Sequence, residues 1–165
     1  MIIHLIGILA MLSILLSIQM KTKDKYLILQ IIGALFFATY FFKLGGYSGT
    51  LTNSILAFQA ITALIYLKQA KEVPKIIIGA LLTITLLSGF YIVNSWIDLL
   101  PLLIAVTALV IFLQNSEKRI RYLSLLLALW IPYAIYFDAH FSLITSIFFL
   151  ISTLIAIYRY DLKKT

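Results

Sequence analysis

The sequence predicts an all-α membrane protein of seven transmembrane helices. Three observations lead there. Hydrophobic residues make up 63% of the 165 positions and charged residues 12%, with a mean hydropathy of +1.09, far from a soluble domain. The apolar stretches run to roughly 17–20 residues, the length that crosses ~30 Å of hydrocarbon as a helix, and seven of them use nearly the whole chain. The third observation is charge placement. Of the 13 Lys and Arg residues, all but Lys43 fall in every second gap: Lys21, Lys23 and Lys25; Lys68, Lys71 and Lys75; Lys118, Arg119 and Arg121; and Arg159, Lys163 and Lys164. Cationic loops stay cytoplasmic during insertion. The alternation therefore predicts an odd number of spans, an outside N-terminus and a cytoplasmic C-terminus.

The elements follow in order. The first span, Ile2–Gln19, has its basic residues after the apolar run, the reverse of a signal peptide, and is expected to be a retained helix. The second, Tyr26–Phe42, leads into the turn Leu44–Gly49. The third, Thr50–Leu67, carries Thr52, Gln59, Thr62 and Tyr66 at helical spacing, one polar stripe. Ile76–Val93 and Ile97–Gln114 are the fourth and fifth, joined by Asn94–Trp96. The sixth, Tyr122–Phe137, contains Pro132, which frees the carbonyl near Ala128 and predicts a bend. The seventh, Phe141–Tyr158, follows Asp138–His140 and has a stripe of Ser142, Thr145, Ser146, Ser152 and Thr153. Backbone groups in hydrocarbon must be satisfied within their own segment, so all seven are helices. Tyr26, Tyr47, Tyr66, Tyr91, Trp96, Tyr122, Tyr158 and Tyr160 stand at span ends, as interfacial anchors do.

The two ends of the chain resemble each other. Gln19, a charged gap and Tyr26 return as Gln114, a charged gap and Tyr122. Ala38-Thr39-Tyr40-Phe41 returns as Ala134-Ile135-Tyr136-Phe137. After a loop shorter by four residues, Ser54-Ile55 returns as Ser146-Ile147 and Ile65-Tyr66 as Ile157-Tyr158. Their common order predicts two three-helix repeats, residues 1–67 and 96–165. The segment 68–95 has no counterpart. Three helices reverse the chain's side of the membrane and one more restores it, so this inverter gives both repeats the same orientation, in a three plus one plus three plan.

The run Gly33-Ala34-Leu35-Phe36-Phe37-Ala38-Thr39-Tyr40-Phe41, then Leu44-Gly45-Gly46-Tyr47-Ser48-Gly49-Thr50 and Asn53, resembles the signature of YgjV-type bacterial inner-membrane proteins. Leu129-Trp130-Ile131-Pro132-Tyr133 and the end Leu150-Ile151-Ser152 to Tyr158-Arg159-Tyr160-Asp161 are similar to the same family. That family is in turn distantly similar to the SWEET, PQ-loop and MtN3-like transporters, which share the three plus one plus three plan. The resemblance implies an inner-membrane location and a SWEET-like arrangement of parallel triple-helix repeats. It implies that Asn53 contacts substrate, with Thr145 near its partner position in the second repeat. Tyr40 stands where the family often has His, and Gln59 where it often has Arg. SWEET-like proteins place prolines in the first two helices of each repeat; here Pro101 and Pro132 occur in the second, against Gly7 and Phe36 in the first.

The residues themselves narrow the chemistry. No Asp, Glu, Lys or Arg lies mid-span, and intramembrane ionisable groups are what proton relays and coupling sites use. The pattern favours a facilitator or transporter of a small neutral or zwitterionic solute. Asn53, Gln59, Thr145, Trp130, Tyr133 and Tyr40 form the candidate substrate-binding set. An amide in lipid must be paired, so Asn53 is either a ligand contact or interhelical glue. Trp130 and Tyr133 share one face with Phe137, for packing or for stacking on a ligand. Pro132, Pro101 and Gln30 are the candidate gate and hinge positions, Gln30 serving equally as an interhelical hydrogen bond. Asp98 and Asp138 lie near the outer face and read as solvated loop carboxylates, with steering of a cation as the alternative.

The alternative function is a non-transporting membrane receptor or scaffold that binds a ligand, lipid or partner helix. The net charge of +7 is spread over separate short loops, so nucleic acid is not an expected partner; the bilayer is. A homo-oligomer stays open. Zero cysteines exclude disulfides and thiolate chemistry. His4 and His140 lack companions for a metal site, and no cofactor is implied. Neither a G-x-S-x-G, an H-E-x-x-H nor a P-loop occurs, so no enzyme is expected.

Overall fold

The computed structural model describes residues 2–18, 20, 22–93, 95–114 and 117–163, and within these it is helical throughout apart from short connections. Gln19, Lys21, Asn94, Lys164 and the side chain of Tyr91, all used above, lie outside what is described. The helices are α1 (Ile2–Ile18), α2 (Lys23–Lys43), α3 (Tyr47–Lys68), α4 (Lys75–Ile92), α5 (Leu99–Leu113), α6 (Glu117–Ser124), α7 (Trp130–Tyr136) and α8 (His140–Ile157). A 3₁₀ turn, Trp96–Asp98, leads into α5, and a π turn, Tyr158–Leu162, extends α8.

Four segments are long and apolar enough to cross a membrane: Lys23–Lys43, Tyr47–Lys68, Trp96–Leu113 and His140–Leu162. Ile2–Ile18 and Lys75–Gly89 are shorter apolar helices. The sixth expected span is not one regular helix. The 3₁₀ stretch Leu125–Leu129 separates α6 from α7 and ends just before Trp130 and Pro132. Proline has no N–H for the carbonyl four residues back, and the backbone tightens there instead of continuing its α-helical ladder. Apolar side chains such as Leu5, Phe148 and Ile76 point outward, with Ile76 82% exposed, the surface expected where lipid is the solvent.

Six helical segments close a ring. α1 packs on α2, α2 on α3, α3 on α5, α5 on the α6–α7 segment, α7 on α8, and α8 back on α1. α4 stands outside the ring against α3 and α5. Small residues allow these approaches, as they do wherever helices associate in lipid. Ala57, Ala60 and Ala63 of α3 and Ala105 and Ala108 of α5 are buried. A Cβ on Gly89 of α4 would come within 2.6 Å of Leu102, and one on Gly7 of α1 within 2.3 Å of Phe141.

The turns that end α2 and α7 are built alike. In the first, Gly46 N–H donates to Phe41 O and Gly45 N–H to Phe42 O; in the second, Ala139 N–H donates to Ala134 O and Asp138 N–H to Ile135 O. Each is a Schellman closure with a left-handed residue, Gly45 at φ 78° and Asp138 at φ 50°. The residue before the next helix repeats as well, Gly46 at φ −82°, ψ 71° and Ala139 at φ −83°, ψ 68°. The expected four-residue deletion is therefore absent, and the register changes. Tyr40 corresponds to Tyr133, Phe37 to Trp130, Thr52 to Thr145 and Asn53 to Ser146. The sequence match at Ala38–Phe41 misled because alanine, tyrosine and phenylalanine recur in any apolar helix of this kind.

Candidate functional site

A cavity of about 90 Å³ lies within the ring, where α1, α2, α3, α5, α7 and α8 converge. Its polar lining is Gln30, Asn53, Ser142, Thr145 and Ser146, set among apolar walls that include Phe37, Leu56, Ile104 and Trp130. A mostly apolar pocket with a few converging polar groups is the usual form of a small-molecule site. A water needs roughly 10–15 Å³ of such space, so several waters or a small solute fit. No described residue of α4 lines it.

Asn53 sits about one turn into α3, held by its own helix: Nδ2 donates to Gly49 O at 2.8 Å, a bond that aims the amide and leaves Oδ1 available to the cavity. On the facing α8, Thr145 donates to Phe141 O at 2.6 Å and Ser146 to Ser142 O at 2.8 Å. With their protons committed to the helix, these hydroxyl oxygens meet the cavity as acceptors. Gln30 is tied to α1, donating to Ser17 Oγ at 2.8 Å.

One end of the cavity is shut by a layer of rings. Trp130 lies parallel to Phe41 with centroids 5.5 Å apart, so one face of the indole is already covered. Tyr133 meets Phe41 at 5.4 Å, Trp130 at 5.6 Å and Phe137 at 4.8 Å. Phe37, Tyr40 and Phe141 continue the layer. Tyr133 is fully buried, and its Oη accepts the Gly49 N–H at 2.7 Å and bonds Ser48 Oγ at 2.8 Å. Ser48 in turn donates to Asp98 Oδ1 at 2.5 Å. Tyr133 of α7 thus satisfies a free N–H in the first turn of α3, across the ring. Its counterpart Tyr40 on α2 meets the ring of Phe141, in the first turn of α8, with centroids 5.9 Å apart.

The other end meets a second space across shared walls. A larger space of about 500 Å³ shares Tyr26, Ile111, Phe112 and Phe149 with the cavity and reaches the basic end of the bundle, where Lys23, Gln114 and Arg121 line it. Beside it, Arg121 grips Asp161 with two bonds, Nε to Oδ2 at 3.0 Å and a terminal nitrogen to Oδ1 at 2.8 Å. This fork ties α6 to the turn after α8.

The expected site residues divide accordingly. The structure brings Asn53, Thr145, Trp130 and Gln30 together around the cavity. Tyr133 and Tyr40 stand in the closing layer. Gln59 faces elsewhere: fully buried, it donates to Thr85 Oγ1 and to Ala105 O, each at 3.3 Å, at the contact of α3 with α4 and α5. Pro101 lies in the first turn of α5, where a missing N–H costs no helical bond. Pro132 is exposed on the outer face of α7.

A family model described as Imp-YgjV, bacterial inner membrane protein, matches residues 1–164. The chain belongs to this family. It is a bacterial inner-membrane protein, in keeping with its long apolar helices. No curated protein and no solved structure matches the chain.

In this Imp-YgjV protein, two functional elements escaped the sequence. Asp98 is not a solvated loop carboxylate. It is half-buried, and besides Ser48 it accepts the Ser95 N–H at 3.1 Å and Ser95 Oγ at 3.0 Å, capping the 3₁₀ turn into α5. Ser95 and Asp98 at capping-box spacing were the available signal. Ser142 and Ser146 belonged to the expected stripe on the last span, but only their placement opposite Asn53 distinguishes them from packing hydroxyls.

Proposed function

We propose that this protein is a transporter or facilitator of a small neutral or zwitterionic solute, working by SWEET-like alternating access between two three-helix halves. The observation that carries the reading is a cavity with converging carboxamide and hydroxyl groups that is closed at one end and meets the second space at the other. A scaffold needs no such space, so the cavity favours transport over the scaffold alternative. The ring order, the matching turns and the position of α4 outside the ring support three plus one plus three, with 1–67 and 96–165 as halves and 68–95 as inverter.

With the charge alternation setting orientation, the aromatic layer lies outside and the basic vestibule faces the cytoplasm, an inward-facing state. Asn53 Oδ1 would accept a donor from the solute, and Thr145 and Ser146 would accept from the opposite wall. Rocking the halves about the α1–α8 and α3–α5 contacts would close the vestibule and part the rings. In this reading the chain carries its solute unchanged and is not an enzyme.

The test is a thermal-shift screen of purified protein against neutral and zwitterionic solutes, followed by flux of any hit in proteoliposomes. A ligand at 100 times its Kd stabilises the folded state by about 2.7 kcal/mol, a shift of several degrees. Asn53→Ala should abolish both the shift and the flux while leaving the protein inserted. Unchanged flux in Asn53→Ala rejects this site, and binding without flux returns the receptor reading.

A further inference from the structure

We propose that a second, smaller cavity, between α3, α4 and α5, binds a monovalent cation, sodium in preference to potassium. It shares no residue with the central cavity or the vestibule. Its polar lining is Ser48 and Thr52 of α3, Thr85 and Ser88 of α4, and Asp98 at the entry to α5. Its volume, about 10 Å³, suits one particle the size of a water molecule.

The proton directions favour an ion over a water. Ser48 donates to Asp98 at 2.5 Å, Thr85 to Leu81 O at 2.7 Å, and Ser88 to Thr85 O at 2.8 Å. Tyr133 Oη already accepts the Gly49 N–H, so its own proton goes to Ser48. Three of the four hydroxyl oxygens are thus left as acceptors, and a carboxylate adds the negative charge. Oxygen ligands with charge suit a hard cation. One carboxylate balances one positive charge, and no group of three or more His, Cys, Asp or Glu fit for a metal occurs among the described residues. A carboxylate attracts the smaller cation more strongly, because the charges approach more closely, and this sets sodium above potassium.

Gln59 lies behind the wall of this cavity. Its Nε2 reaches Thr85 and Ala105, both in the wall of this cavity, yet its Oε1 is buried with no hydrogen-bond partner. A buried unpaired acceptor is costly. The site does not depend on transport, although Ser48 joins Asp98 to the tyrosine that closes the central cavity.

The experiment is thermal unfolding of the purified full-length protein titrated with sodium, potassium or choline chloride at constant ionic strength. Sodium should raise the apparent Tm saturably by several degrees, potassium less, and choline not at all. Asp98→Asn removes the charge but also a helix cap, so Thr52→Val, nearly isosteric, is the deciding variant. It should fold like the parent and raise the half-saturating sodium concentration about tenfold. Equal responses to the three salts, or a sodium response undiminished in Thr52→Val, would overturn the proposal and leave a water-sized void.

Discussion

Gly49→Ala should be among the most damaging single-methyl changes in this protein. A Cβ at Gly49 would stand 2.7 Å from Tyr133 Cε1, 2.8 Å from its hydroxyl and 3.0 Å from Phe41 Cγ. Tyr133 has nowhere to go, since Phe41, Trp130 and Phe137 pack around it and the Gly49 N–H holds its oxygen. Overpacking of this kind costs about 1–3 kcal/mol, and here the displaced ring also loses its bond to α3. The apparent Tm in detergent should fall by many degrees. Two other glycines calibrate the result. Gly79 has open space around an added Cβ, so Gly79→Ala should leave stability unchanged or slightly improved. Gly45 also has space but sits at φ +78°, so Gly45→Ala should cost only the roughly 1–2 kcal/mol of left-handed strain. A Gly49→Ala protein as stable as Gly79→Ala would refute the close contact with Tyr133.

Tyr133→Phe should have the second largest effect, with different consequences. The ring and its stacking survive, but the Gly49 N–H loses its acceptor and Ser48 its partner on that side. An unsatisfied buried donor costs about 1–3 kcal/mol. The loss falls at the closed end of the cavity, so the closed arrangement should weaken relative to one with the rings parted. The absence of native cysteines allows a direct reading. A single Cys placed at Thr145 should be slow to react with an impermeant thiol reagent from the aromatic end in the parent and faster in Tyr133→Phe. Equal labelling rates would show that the hydroxyl bonds only stabilise and do not govern access.

The helical segments and their apolar character were legible because a helix in lipid needs only length and few charges, which Tyr47–Lys68 and His140–Leu162 both display. The break before Trp130 was legible in part: Pro132 announced a disturbance, but not that the backbone would tighten into 3₁₀ geometry over Leu125–Leu129. Site residues were harder. Thr52 and Gln59 do form one polar face of α3, but that face looks toward Thr85 of α4 and the start of α5. Asn53, one residue from Thr52 and so about 100° further round the helix, reaches the central cavity instead. Periodicity identifies a face, and only packing decides what the face meets. The Ser48–Asp98 bond joins residues far apart in sequence, and local pattern carries no trace of it.

The outlying position of α4 bears on how such a chain could arise and be taken apart. No described residue of α4 lines the central cavity, and α4 packs against the two helices it links. In the proposed topology its service is covalent: it lets two like-oriented halves be made in one act of synthesis. Two separately inserted three-helix polypeptides would have that common orientation without it. In that topology the ring has the form of two like-oriented subunits joined into one molecule, with α4 as the splice.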